Sequence, residues 1–139
     1  MILDCTCFRL RRLSRQVTQR YDDALRPVGL RVTQFSLLSA LRNDGPMSVG
    51  NLARGLGADT TSMSRALAAL TAKDWVRISE GANKRSKSIA ITVDGLALLE
   101  RATPRWQKAQ VEVAEVLGEE VKQTLDSQLD ELSRRISAT

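Results

Sequence analysis

Apolar residues recur along this chain with helical spacing, except in two short runs that have strand character. From 5 to 26, Leu10, Leu13, Val17, Tyr21, Ala24 and Leu25 fall at helical steps, as one face of an amphipathic helix requires. Pro27 and Gly29 end that helix, one by removing a donor and the other by permitting a reversal. A second helix is predicted over 31–43, with Thr33 as its cap and Phe35, Leu37, Leu38 and Leu41 as the hub of the core. Asn43-Asp44-Gly45-Pro46 reads as a turn. Ser48 then caps a short helix carrying Leu52 and Leu56, Gly57 reverses the chain, and Asp59 caps a further helix. Met63, Ala66, Leu67 and Leu70 mark that helix, and Leu56, Met63, Leu67 and Leu70 are expected to face the core. Trp75–Ile78 and Ser88–Thr92 alternate or run apolar and read as two strands joined by a polar loop.

The last third returns to helical period. Asp94-Gly95 opens a long stretch in which Leu96, Leu99, Trp106, Val113 and Leu117 share a face. Pro104 should bend it near Arg101, and Gly118 permits a break. Val121, Leu125, Leu129, Leu132 and Ile136 then step by 4, 4, 3 and 4 on an otherwise polar helix. So narrow a stripe suits a seam between two helices. A domain of 139 residues has little interior left for it. Pairing with a second subunit, together with the first helix, is therefore predicted over packing on its own domain.

These elements predict a mainly α protein with a small β-hairpin, a winged helix–turn–helix between long N- and C-terminal dimerisation helices. It forms one domain overall. Residues 1–28 are the N-terminal dimerisation helix, 29–93 the DNA-binding region and 94–139 the C-terminal dimerisation helices.

The chemistry gathers on the second helix of that motif and on the hairpin. Thr60, Thr61, Ser62, Ser64 and Arg65 point outward on the first turns after Asp59. Short hydrogen-bonding side chains and one long cation at a positive helix end suit base edges and phosphates in a major groove. Ser and Thr also simply start helices. The hairpin loop carries Lys84, Arg85 and Lys87 against Glu80 alone, the charge expected of a wing lying on a phosphate run.

Charge and composition narrow the partner. Residues 1–93 hold 15 Lys or Arg against 7 Asp or Glu, whereas 94–139 hold 6 against 9. A basic front and an acidic rear suit a polyanion met through one face. The chain has no histidine, the commonest general base and metal ligand. Two cysteines one residue apart, Cys5 and Cys7, cannot alone complete a zinc site. No phosphate-binding loop or nucleophile elbow appears. An enzyme, a cofactor and a metal are therefore not expected. No apolar run is long enough to span a membrane, and the first residues carry no signal-peptide pattern, so the cytoplasm is the expected compartment.

The order and spacing resemble the MarR (multiple antibiotic resistance regulator) family of winged-helix transcription factors. The resemblance rests on residues 29–38, Gly45-Pro46-Met47-Ser48-Val49, Leu52-Ala53 with Leu56-Gly57, and Asp59 to Arg65. It continues through Asn83-Lys84-Arg85-Ser86-Lys87 and Ile91-Thr92. Asn83-Lys84-Arg85 stands where the family usually carries Asp-Arg-Arg. The resemblance implies a homodimeric repressor on double-stranded DNA with a near-palindromic operator, released by a small-molecule inducer or an oxidant. Thr61, Ser62, Ser64 and Arg65 would read bases, Arg54, Lys84 and Lys87 would hold phosphate, and Arg85 would probe the minor groove. Cys7-Phe8-Arg9-Leu10 resembles the start of the first helix in the organic-hydroperoxide-sensing branch, which makes Cys7, with Cys5 beside it, a candidate redox sensor. That branch's tyrosine partners are absent from the matching positions. Trp106 is a candidate wall of a ligand pocket or a plain core residue. Two other classes stay open: a winged-helix protein adaptor without DNA, and a cysteine-based redox protein.

Overall fold

The computed structural model describes residues 4–80 and 87–139. Among these residues six α-helices and three short strands follow one another: α1 Thr6–Leu25, α2 Val32–Asp44, β1 Met47–Ser48, α3 Val49–Leu56, α4 Thr60–Ala72, β2 Val76–Ser79, β3 Ser88–Ile91, α5 Val93–Leu117 and α6 Glu119–Ser137. One 3-10 turn, Arg26–Val28, links α1 to α2. Gly29 leaves it with φ +77°, the left-handed reversal its missing Cβ permits.

The helix α2 is the hub. Phe35, Leu37, Leu38 and Leu41 are all buried, among Leu52 of α3, Met63, Leu67 and Leu70 of α4, Ile89 of β3 and Leu98 and Leu99 of α5. Its start differs from the expected Thr33 cap. The helix begins at Val32, with Arg31 in the cap position two residues before Thr33, and Asp22 of α1 accepts the Val32 N–H at 2.8 Å. Gln34 accepts the Arg31 N–H at 3.0 Å. A carboxylate ten residues upstream thus replaces a local hydroxyl, welding the end of α1 to the start of α2.

The sheet has order β1-β3-β2, all antiparallel. Met47 pairs with Ile89 and Ser48 with Ser88, so the two residues before α3 add a third strand to the expected hairpin. The outer pair runs from Val76 opposite Ile91 to Ser79 opposite Ser88. The loop between them, with Lys84 and Arg85, lies outside the described residues.

Leu56, expected to face the core, is partly out, and so is Leu96 at the start of α5. Leu56 keeps 38% of its surface, because α3 ends there and Gly57 turns the chain away. Leu96 keeps 39%, because the inward stripe of α5 is Gly95, Leu98, Leu99, Ala102, Ala109 and Val113. The helix α5 runs unbroken through Pro104 to Gly118, where φ is +84° and α6 begins. That last helix has no buried residue. Val121, Leu129, Leu132 and Ile136 stand exposed on it, and Leu10 and Leu13 on α1. Between α1, α5 and α6 runs a groove of about 590 Å³ lined by Leu10, Leu13, Leu125 and Leu129. Its polar members include Tyr21, which donates to Gln110 Oε1, and Lys122, which pairs with Asp126 at 2.7 Å. Partial burial raises the Tyr21 pKa.

Candidate nucleic-acid interface

Local hydrogen bonds build the helix–turn–helix. Ser48 Oγ accepts the Asn51 N–H at 3.1 Å and starts α3. Gly57, with φ +66°, ends it, and the Ala58 N–H returns to the Ala53 carbonyl at 2.9 Å. A side chain at Gly57 would force that left-handed backbone into strain. Asp59 then takes extended backbone and caps α4 twice over. Its Oδ1 accepts the Ser62 N–H at 2.7 Å, and its Oδ2 accepts the Ser62 hydroxyl at 2.9 Å. The Ser62 amide, and then its hydroxyl, hold the Asp59 carboxyl below its ordinary pKa.

Every third or fourth side chain anchors α4 inward: Met63, Leu67 and Leu70 are buried. Thr60, Thr61, Ser62, Ser64 and Arg65 are exposed. They occupy the N-terminal turns, where the helix dipole is positive. Arg65 makes no ion pair among the described residues. The Ser62 hydroxyl spends its proton on Asp59, which leaves it as an acceptor toward solvent. Arg54, in the last turn of α3, donates to Asn51 Oδ1 at 3.0 Å and remains exposed.

Other cations are exposed on neighbouring elements. Lys87 is exposed immediately before β3, and Arg77 is exposed on β2. Arg31, Thr33 and Gln34 line a groove that also touches Ala66 and Ala69 of α4. Arg31 and Arg77 are exposed cations outside the set that the sequence predicts. For Arg77 the signal is the position itself, one residue past buried Val76 on a strand. For Arg31 no local pattern exists, since its placement depends on Asp22 holding the start of α2.

The remaining candidates lie elsewhere. Cys5 and Cys7 are free and exposed at the start of α1, with Cys5 in the cap position. Arg9 pairs with Asp4 at 3.2 Å. Trp106 packs against the core, its ring stacked on Phe35 at 5.3 Å between centroids. Among the described residues no three His, Cys, Asp or Glu side chains gather as a metal site. No helix there is long and apolar enough to cross a membrane.

The winged-helix geometry agrees with the known proteins this chain is similar to. Residues 28–86 match the MarR family. The multiple antibiotic resistance protein MarR of Salmonella typhimurium is 31% identical over 101 residues, 69% of this chain and 70% of that one. The transcriptional regulator MosR of M. tuberculosis, solved in complex with DNA, is 36% identical, with TM-score 0.81 over 94% of this chain and 99% of that one. MosR solved without DNA aligns over 100% of both chains, with TM-score 0.85 and 31% identity. The chain belongs to the MarR family of DNA-binding transcriptional regulators.

Proposed function

We propose that this protein is a homodimeric repressor that reads a near-palindromic operator with α4 and leaves it on meeting a small ligand or an oxidant. The carrying observation is the outward face of α4: small hydroxyls and the exposed Arg65 on a helix N-terminus fixed by Asp59 and Gly57. Two copies related by a twofold axis would set their α4 helices in successive major grooves, about 10–10.5 bp apart. In this reading Thr60, Thr61, Ser62, Ser64 and Arg65 face base edges, with Ser62 accepting rather than donating. Arg54, Lys84 and Lys87 hold phosphates, Arg85 enters the minor groove, and Arg77 and Arg31 extend the basic rim. The DNA complex of MosR supports the reading by likeness.

The second copy would cover the apolar faces of α1 and α6. Release would come through Cys7, with Cys5 beside it, or through a ligand taken near Trp106 where the long helices meet the winged-helix core. The cytoplasm is the compartment in which such a regulator acts, and we assign it no catalytic residue. Selection of duplexes from a random pool by the wild-type protein, followed by footprinting, tests the proposal. A dyad-symmetric consensus protected on one face is expected. Retention of duplex without any consensus would overturn sequence-specific repression.

A further inference from the structure

The end of the recognition helix and the start of α5 meet at one side chain. After α4, Asp74 takes a left-handed φ of +63°, a conformation that short polar residues adopt at some cost. The Asp74 N–H returns to Thr71 O at 2.9 Å and the Trp75 N–H to Leu70 O at 3.0 Å. The turn is thereby tied back onto α4. Its two carbonyls go forward to Thr92. The Thr92 hydroxyl donates to Asp74 O at 2.6 Å, and the Thr92 N–H donates to Trp75 O at 3.0 Å. The same hydroxyl oxygen accepts the Gly95 N–H at 3.0 Å and caps α5. One Oγ1 therefore bonds both the turn that ends α4 and the first turn of α5.

The junction has no slack. A Cβ on Gly95 would lie 2.2 Å from Trp75 O and 2.8 Å from Ile91 Cγ1. The first turn of α5 is thus flush against the backbone that follows α4. An N-cap alone needs only an acceptor. The donated bond to Asp74 O is a second function of the hydroxyl, and it joins the Thr92 N–H bond to Trp75 O in holding the turn that ends α4.

We infer that Thr92 is a positioning residue for DNA reading: its hydroxyl fixes the angle of α4 to α5, so that α5 carries the recognition helix as one body. The inference rests on α4 being the reading helix. Rigidity here converts a displacement of α5 into a displacement of α4 instead of dissipating it in the turn.

Three substitutions separate the two roles. Thr92→Ser keeps acceptor and donor. Thr92→Asp keeps the cap, since a carboxylate accepts the Gly95 N–H, but an ionised carboxylate has no proton for Asp74 O. Thr92→Val loses both. The first readout needs no operator. Spin labels at Ala69 and Lys108, with Cys5 and Cys7 replaced by serine and labelled chains diluted into unlabelled ones, report the α4–α5 distance distribution. It should broaden in T92D and T92V and stay narrow in T92S. The second readout is affinity for a duplex selected by the wild-type protein against a scrambled duplex. T92D should lose about tenfold on the selected duplex, the scale of one impaired base contact, and nothing on the scrambled one. Thermal stability of T92D should remain near wild type, because the cap is intact. A T92D distribution as narrow as wild type, or T92D and T92S binding alike, would overturn the inference. If the wild-type protein selects no sequence while the distances still broaden, the DNA reading fails and the positioning role of Thr92 stands.

Discussion

Replacing Leu129 and Leu132 with aspartate should dissociate the dimer without unfolding the chain. The two side chains keep 42% and 48% of their surface in the single subunit. Fully burying a leucine contributes about 1.5–3 kcal/mol, so covering the remaining half contributes about 0.7–1.4 kcal/mol each. A symmetric seam holds four such side chains, for about 3–5 kcal/mol in all, or roughly two to four decades in the dimer dissociation constant. The carboxylates add a desolvation cost in the same direction. The subunit itself should survive, because α6 has no buried residue and the core is gathered around α2. Sedimentation equilibrium gives the association state, and circular dichroism checks that the helices persist. Ser127→Asp, about half a turn away on the exposed polar face, is the control and should remain dimeric. A double-aspartate protein that dimerises as tightly as wild type would refute the reasoning and place α6 outside the seam.

Arg65→Ala should weaken the selected duplex by about 1–3 kcal/mol and the scrambled duplex far less, as a base contact requires; equal losses in a fluorescence-anisotropy titration would reassign Arg65 to phosphate. Lys87→Ala should reduce affinity for both duplexes alike and lower the slope of log K against log salt by about 1 for each phosphate no longer neutralised, which a salt series measures. Asp59 is held below its ordinary pKa by Ser62, so its contribution is present above the unfolded carboxylate value of about 4 and is lost as pH falls through the folded value. Asp59→Asn should flatten that acid sensitivity in thermal melts taken across the range, and an unchanged profile would show that the cap is not its source. Cys7→Ser should abolish release of the selected duplex by peroxide if Cys7 is the sensor, whereas wild-type binding that ignores peroxide leaves the ligand route.

What could be read from residue order follows the range of the interactions involved. Ser48, Gly57 and Asp59 are legible because each cap or reversal is made within four residues of its own position. The inward set Met63, Leu67 and Leu70 is legible because period alone decides it in a helix interior. Leu56 departs from its expected burial, and Leu96 is half out, because each sits within a turn of a helix end, where the neighbouring chain decides what is covered. The start of α2 depends on Asp22 of α1, and no local pattern announces that. The strand β1 is two residues long and exists only through its pairing with β3. Residue order places Thr92 at the end of a strand, yet it is the cap of α5, since a hydroxyl after a strand suits either role until its partners are known. The outward residues of α4 are legible as a set, but the engagement of the Ser62 proton by Asp59 is not.

The distribution of burial suggests how an inducing event acts without touching α4. Buried residues run through α2, α3, α4, the sheet and α5 as far as Val113, and stop there. Beyond Gly118 the chain is an arm with an apolar stripe, and the start of α1, with Cys5, Cys7, Leu10 and Leu13, is likewise uncovered. The helix α4 therefore belongs to a packed unit, while in the proposed reading the dimer contacts fall on segments outside it. Packed interiors resist gradual deformation, so the soft coordinate is the placement of one unit relative to its partner. Oxidation at Cys7, or a ligand against α5, would act on that placement. A coupling of about 1–3 kcal/mol is typical between two sites, and respacing the two α4 helices so that one or two base edges go unread supplies a free energy of similar size. On the inference above, the junction at Thr92 adds to that path, because it ties the first turn of α5 to the turn that ends α4.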